Sequence, residues 1–472
     1  MMSELAVQDL RTSLRGQLFL PNQPGYEENR KVFNALIDRH PAMIVQCAGV
    51  ADVITAVKFA RAHNVEVAVR STGHNVAGIS VCDGGMVIDL SVMKGIHIDP
   101  EARTVRVEPG VTWAELNHEL QVFGLAATGG YVGTTGVAGL TLGGGLGWMV
   151  RKHGCALDNL LSADVVLADG QFLSASETAN SDLFWGIRGG GGNFGVVTSF
   201  QFQAHSAGMV LAGLVLHPLS KAGKAMRFWR DFETTAPEEA SNGAVMFTAP
   251  PGLPLPEALR REPIVGIGGV WVGPLDVGER ALRPLREFGP PAADTYQRMP
   301  YSTAQTMADF LWTRGSYNYW KSNFMKSLSD QAIDTILGFV ATVPSPRTVV
   351  VLEHDGDSAW SRVADDATAF GHRNWPYNIV VTSAWTDAGE SDANIRWTRE
   401  FWEAMRPFLA EAVYVNYLGD VDEESVRAAY GPKYRRLTAL KDKYDPTNFF
   451  RMNQNIKPTR AVSDAGGSLS AA

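Results

Sequence analysis

The chain has 472 residues, 45% of them hydrophobic and 19% charged, with a formal net charge of −8 that comes from intermixed signs and not from an acidic or basic block. This length exceeds one compact core and predicts roughly two to three domains, and the charge distribution excludes nucleic acid and anionic membrane surfaces as partner classes. Three cysteines, Cys47, Cys82 and Cys155, show no CxxC spacing, which excludes a disulfide framework and a thiolate metal site. No His-rich cluster with metal-ligand spacing replaces them, so no metal is expected. Met1 to Arg15 lacks a basic segment followed by an apolar run, and no later stretch has the apolar length of a membrane span. The expectation is a cytoplasmic protein.

In chain order, Ala51 to Asn64 places Val53, Ile54, Val57 and Ala60 on one helical face, and Val65 to Val69 then alternates as a strand does. A glycine turn follows, Arg70-Ser71-Thr72-Gly73-His74-Asn75, with Gly78, Ile79 and the Gly84-Gly85 pair before a second strand, Met86 to Leu90. Thr104 to Glu108 reads as a strand and Pro109-Gly110 as a turn. Thr112 with Glu115 forms a capping box that opens a helix ending near Gly124. Nine glycines lie between Gly129 and Gly147, a density that weakens regular elements unless backbone must approach something closely. Asp169-Gly170 joins two short strands as a hairpin, and Ser181 or Asp182 caps a helix running toward Arg188. A last glycine run precedes a strand, Val196 to Gln203. After about Ala204 the glycine clusters stop, and segments rich in Pro, Trp and Phe continue to about Ala412, which reads as a second domain. The final stretch holds Tyr414-Val415-Asn416-Tyr417, a helical region after Asp422, a turn at Asp445-Pro446-Thr447-Asn448 and a small-residue tail after Val462.

Gly190-Gly191-Gly192-Asn193-Phe194-Gly195 satisfies the letters of a dinucleotide fingerprint. A Rossmann fingerprint, however, leaves a strand and opens a helix. Here a helix precedes the run and a strand follows it, so NAD binding by this motif is rejected. Glycine loops at three places instead suggest several backbone segments converging on one extended, phosphate-bearing cofactor, since bare N–H groups in tight loops bind pyrophosphate oxygens.

Arg70-Ser71-Thr72-Gly73-His74, Gly136-Val137-Ala138-Gly139-Leu140-Thr141-Leu142-Gly143-Gly144-Gly145, Asp158-Asn159, Gly192-Asn193-Phe194-Gly195-Val196-Val197 and Asn453-Gln454-Asn455-Ile456 together resemble the berberine-bridge-enzyme-like FAD-linked oxidases of the vanillyl-alcohol-oxidase (PCMH-type) superfamily. Bacterial 6-hydroxynicotine oxidase-like members look most similar. The resemblance implies an α+β fold: a PCMH-type FAD-binding domain of two α+β subdomains at residues 1–205 (core about 37–205), an inserted substrate domain with an antiparallel sheet at 206–412, and a segment, 413–472, that returns to the FAD domain. It implies FAD bound through one covalent bond, from an imidazole nitrogen of His74 to the 8-methyl carbon of the flavin. Many relatives add a cysteine bond, but the matching position is Val132, so a single bond is expected. Cys155 and Cys82 read as small buried residues. The remaining cofactor contacts implied are Arg70, Ser71, Thr72, Gly73, Asn75, Gly78, Ile79, Pro109, Gly110, Val132, Gly133, Thr134, Thr135, Gly136, Gly139, Leu140, Gly143, Gly144, Asn159, Gly195, Val196, Val197, Asn416, Asn453 and Asn455.

The resemblance also implies hydride transfer from a small organic substrate (an alcohol, sugar, amine or natural-product ring) to FAD, with dioxygen as electron acceptor and hydrogen peroxide as product. The alternatives are a dehydrogenase of the same fold with another acceptor, or a catalytically degenerate flavin carrier. Tyr417 matches the family tyrosine that often serves as base. A free tyrosine titrates near 10, so this role requires a nearby positive charge, for which Lys321 is the candidate, or a hydrogen bond that stabilises the phenolate. If Tyr414 to Tyr417 is a strand, Tyr417 points opposite to Asn416 and only one of them faces the substrate. Leu146 stands where many sugar- and alcohol-oxidising relatives carry tyrosine. Trp271, Trp312, Tyr317, Tyr319 and Trp320 are candidate pocket aromatics, with core and rim packing as the default role.

Overall fold

The computed structural model describes residues 3–250, 255–260 and 263–459; the expected tail after Val462 lies outside them. Strands Met43–Gln46, Met86–Asp89 and Val67–Arg70 pair in parallel, and Gln17–Phe19 adds an antiparallel edge. The helix Val50–Ala62 makes the crossover between the first and last of these, burying Val53, Ala56, Val57 and Ala60 against the sheet. This apolar face has the periodicity read from the sequence. Each such side chain withdrawn from water contributes roughly 1.5–3 kcal/mol.

A second, five-stranded antiparallel sheet follows in the order Ile96–Asp99, Thr104–Val107, Val196–Gln203, Leu160–Val166, Phe172–Ser176. The hairpin at Asp169-Gly170 closes its last pair, with Val166 opposite Phe172. The capping box is formed: the Thr112 hydroxyl accepts from the Glu115 N–H and the Glu115 carboxylate accepts from the Thr112 N–H, opening the helix Trp113–Gln121. The later helix spans Ser181–Ile187, and its N-cap is Asn180 in the left-handed region (φ 47°), one residue before the expected cap.

An eight-stranded antiparallel sheet runs from Met209 to Trp385, ordered Ala293–Asp294, Met209–Pro218, Pro263–Trp271, Ala240–Thr248, Val349–His354, Tyr377–Trp385, Tyr317–Met325, with Gln297–Pro300 on the side of Met209–Pro218. Strand alternation divides its side chains between two faces. Val350, Leu352, Ile379 and Val381 pack under the helices Leu219–Glu233, Leu275–Glu287, Asp330–Val340 and Ser391–Met405. Val351, Glu353, Val380 and Thr382 face the opposite way, onto a cavity.

The C-terminal residues return to the first domain through the helices Glu423–Tyr430 and Tyr434–Tyr444, whose apolar residues join the core around Trp113 and Phe200. Lys441 and Asp445 are fully buried and paired at 2.7 Å, and Lys441 also donates to the carbonyls of Asn193 and Phe450, both at 2.8 Å. The late glycine loop is thereby fastened to the closing segment. Tyr414 to Tyr417 is not a strand: Val415–Tyr417 is one 3-10 turn, so the expected alternation fails and Asn416 and Tyr417 both reach the cavity. Among the described residues no helix is long and apolar enough to cross a membrane, and no cluster of potential metal ligands occurs.

Candidate functional site

A cavity of about 570 Å³ lies between the glycine loops and the open face of the eight-stranded sheet, within the range typical of small-molecule sites. Ser71, Thr72, Gly73, His74, Asn75 and Ile79 form one wall, and Val132, Thr135, Gly136, Gly139, Leu140 and Gly143 a second. Gly195, Val196 and Val197 close the floor, and Asn416, Tyr417 and Asn453 come from the returning segment. Loops distant in sequence therefore converge, as expected for one extended ligand.

Other expected contacts stand one layer behind this wall. Arg70 is buried in an ion pair with Asp89 at 3.0 Å, and the Pro109 carbonyl accepts from the Ser71 hydroxyl. Gly78 turns with φ 71° against Ile37, and Gly110 packs on the Leu90 carbonyl. Gly133 and Thr134 support His74, Gly144 lies against Tyr414 and Phe370, and the Asn455 Oδ1 is buried without a partner among the described residues. Asn159 departs from expectation: its amide donates to Thr128 Oγ1 and to the carbonyls of His153 and Cys155, and its Oδ1 meets His205 Nε2 at 2.6 Å. These bonds occupy both ends of the side chain away from the cavity. The His153 and His205 rings stack at 3.8 Å beside it.

His74 leaves the end of strand Val67–Arg70. Its imidazole stacks on Phe33 at 4.4 Å and 18°, and its Nε2 lies 3.0 Å from Thr134 Oγ1. Burial, and second the charge of Arg314, lower its pKa from 6.5 to about 4, so the ring is neutral at ordinary pH. The glycines beside it are needed as such. A Cβ on Gly136 would sit 2.7 Å from Thr72 Oγ1 and 2.8 Å from Ser71 Oγ, and one on Gly143 would collide with Asn416 Oδ1. The Asn453 Oδ1 in the same crevice is buried and unpartnered within the described residues. A crevice stripped of side chains, with a polar atom awaiting a partner and a neutral histidine at one end, fits a dinucleotide of the size of FAD.

The cavity face of the eight-stranded sheet, reached from His74 through Phe33, Trp320 and Tyr417, is acidic and aromatic. Glu353 accepts a 2.7 Å hydrogen bond from the Tyr417 hydroxyl and a 2.8 Å bond from the Asn378 amide. Burial, with Asp355 next, raises its pKa to about 8, and burial raises that of Asp355 to about 6. Tyr417 is pushed well above 10 by burial and by the Glu353 charge, the reverse of what a phenolate base requires. Lys321 does not supply a compensating charge, because its ammonium is engaged by Asp420 at 2.6 Å. Neither Glu353 nor Asp355 was identified from the sequence. The available signal was three titratable residues, Glu353-His354-Asp355, directly at the end of the apolar run Val349 to Leu352.

Trp148, Tyr131, Trp312 and Trp320 line the same cavity, and no lysine or arginine is among its described lining residues. Trp271 is core, donating from Nε1 to the Pro274 carbonyl, while Tyr317 stacks on Trp385 and Tyr319 bonds Asp420. Leu146 is buried against Tyr414, whose hydroxyl accepts from the Gly145 N–H and the Asn416 amide, both at 2.8 Å.

A family model described as "FAD binding domain" matches residues 41–176, and one described as "Berberine and berberine like" matches 413–457. An FAD-linked oxidoreductase of Dictyostelium discoideum is 30% identical over 96% of this chain and 97% of its own length. The (R)-6-hydroxynicotine oxidase of Paenarthrobacter nicotinovorans is 30% identical over 94% and 97%. Among solved structures, 6-hydroxy-D-nicotine oxidase from Arthrobacter nicotinovorans superposes with a TM-score of 0.85 at 28% identity, over 94% of this chain and 98% of that one. A chitooligosaccharide oxidase shares the fold, with a TM-score of 0.84 at 24% identity over 96% and 100%.

Proposed function

Because the chain belongs to the berberine-like family of FAD-linked oxidoreductases, we propose that it is an oxidase acting on a small, largely apolar, ring-bearing substrate, with FAD held by one covalent bond to His74. The glycine crevice and Asn453 hold the cofactor, and His74 anchors its ring end. Bound there, FAD supplies the hydride acceptor, and dioxygen takes up the electrons as hydrogen peroxide.

The single observation carrying the catalytic reading is the Tyr417–Glu353 hydrogen bond in the cavity. Glu353 takes the proton from the substrate's nitrogen or oxygen, and Tyr417, held as a neutral phenol, orients the carboxylate as its donor. Two buried acids, an aromatic wall, no lysine or arginine among the described lining residues and no hydroxyl at Leu146 favour an amine over a sugar. The three cysteines, buried and unpaired, agree with a reducing compartment, and the cytoplasm is part of the same proposal.

Acid precipitation of the yellow protein, followed by mass analysis of its peptides, tests the anchor. Flavin on the His74 peptide is expected, and flavin released to solution refutes the covalent bond. Anaerobic bleaching by ring-bearing amines, with recovery of colour and peroxide on admitting air, tests the rest. Bleaching that air does not reverse would make the protein a dehydrogenase.

A further inference from the structure

The segment from Asp309 to Ser316 belongs to the substrate domain and leads into its edge strand, yet several of its polar groups turn to the surroundings of His74. Asp309 Oδ1 accepts from the Gly133 N–H at 2.6 Å, and Gly133 precedes the threonine that meets His74 Nε2. Arg314 donates to the Thr72 carbonyl at 3.3 Å and to the Lys31 carbonyl at 2.8 Å. The Gly315 N–H donates to the Phe33 carbonyl at 3.1 Å, and the Ser316 carbonyl accepts from the Ala35 N–H at 2.9 Å. The backbone before His74, the ring stacked on it and the hydroxyl beside it are thus all tied to one short stretch of the other domain. One further bond, from Trp312 Nε1 to Thr382 Oγ1 at 3.1 Å, ties the same stretch to the cavity face of the eight-stranded sheet.

We propose that this stretch is a clamp that prepares His74 for covalent attachment of the flavin, with Arg314 as its main positioning residue. The proposal rests on the His74 reading above. Attachment exchanges the imidazole N–H and one C–H of the 8-methyl group for a C–N bond. Both hydrogens leave as protons, the electron pair reduces the flavin, and dioxygen reoxidises it to give hydrogen peroxide. The step needs an unprotonated nitrogen held at one carbon. Orientation of that kind is lost when flanking backbone shifts by about 1 Å, which costs on the order of a hundredfold in rate. Stacking on Phe33 and the Thr134 contact fix the ring plane, and the two Arg314 bonds fix the backbone segments that carry His74 and Phe33. The guanidinium charge also opposes protonation of the imidazole, adding to the larger effect of burial.

The test follows attachment directly and does not depend on turnover. Parent, Arg314→Met, Arg314→Lys and His74→Ala proteins are purified from cells harvested at intervals after induction. Total bound flavin, the share that stays with acid-precipitated protein, and Tm are measured for each. Arg314 is solvent-exposed, so Arg314→Met is expected to fold and to bind flavin in the parent's amount, while its acid-stable share accumulates about tenfold more slowly or worse. Arg314→Lys, which restores the charge and one carbonyl contact, is expected in between, and His74→Ala to hold none in acid-stable form. Asp309→Ala, acting on the opposite side of the ring, gives the same test if Arg314→Met is recovered poorly. Attachment in these variants at the parent's rate overturns the clamp, as does a fall in total flavin that matches the fall in acid-stable flavin. A parent that releases its flavin in acid overturns the His74 reading itself, and the clamp with it.

Discussion

If Glu353 accepts the substrate proton, as proposed, replacing it with Gln removes that group while keeping the size of the side chain. With a pKa of about 8 in the free protein, only about a tenth of the carboxylate is ionised at pH 7, and about nine-tenths at pH 9. The rate of flavin reduction divided by the substrate Kd, which reports the free enzyme, therefore rises about tenfold between those pH values in the parent. Below pH 7 it falls tenfold per unit. In Glu353→Gln the limb disappears and reduction slows by about 10²–10⁴, equivalent to ~3–5 kcal/mol of barrier. Tyr417→Phe removes the donor that lowers the Glu353 pKa, so the limb moves alkaline, by roughly one pH unit for a charge-assisted bond. Anaerobic stopped-flow spectroscopy of flavin bleaching from pH 6 to 9.5 reads all three proteins. A parent-like rate in Glu353→Gln, or a flat parent profile, refutes the assignment. A Tyr417→Phe protein whose reduction slows by about 10²–10⁴ with an unmoved limb would return the base role to the tyrosine.

The stacked histidines predict acid sensitivity. Burial lowers His153 to about 3 and His205 to about 4, so the unfolded chain takes up protons near pH 6.5 that the folded one refuses. Their stabilising effect is full above pH 6.5 and is lost as pH falls toward 4, by up to ~1.4 kcal/mol per pH unit for each ring. Urea unfolding between pH 7.5 and 5 measures the slope, which His205→Gln should reduce. Gly143→Ala drives a methyl group into Asn416 Oδ1, and the expected result is a lower ratio of bound flavin to protein in the absorption spectrum. Lys441→Met leaves Asp445 buried without its cation, at a cost of about 3–5 kcal/mol, and differential scanning calorimetry should show a correspondingly lower Tm. Leu146→Tyr enlarges a side chain that is 1% exposed, and overpacking of about 1–3 kcal/mol is expected from denaturant titration.

The glycine crevice was legible because its close backbone approaches leave no room for side chains. Gly136 and Gly143 cannot be replaced without collision, and such requirements leave dense, ordered glycines in the sequence. The capping box at Thr112 and the apolar face of Val50–Ala62 were legible for the same local reason. The substrate side was not. Glu353 faces the cavity because strand alternation turns it away from Val350 and Leu352, and Asn378 and Tyr417, 25 and 64 residues away, complete its surroundings. No local spacing encodes that meeting. Tyr417, singled out from the sequence, does line the cavity, but its protonation depends on the sign of a neighbouring charge: Lys321 was the candidate cation, and the chain supplies a carboxylate. Asn159 misled because an Asp-Asn pair inside a family motif does not show which way the amide faces.

The spacing between His74 and its supports also sets an order of events during synthesis. Thr72 and Arg314 are 242 residues apart, so at about 5–20 residues per second the histidine leaves the ribosome roughly ten to fifty seconds before the segment that finishes its box. Asn453, which belongs to the same crevice, arrives later still. The nascent chain can therefore pair its first sheets around an open groove, but it cannot enclose a dinucleotide until translation has almost ended. Completion of the groove is a late, whole-chain event, and a ribosome stalled within the substrate domain would hold an unfinished site however well its first domain had folded.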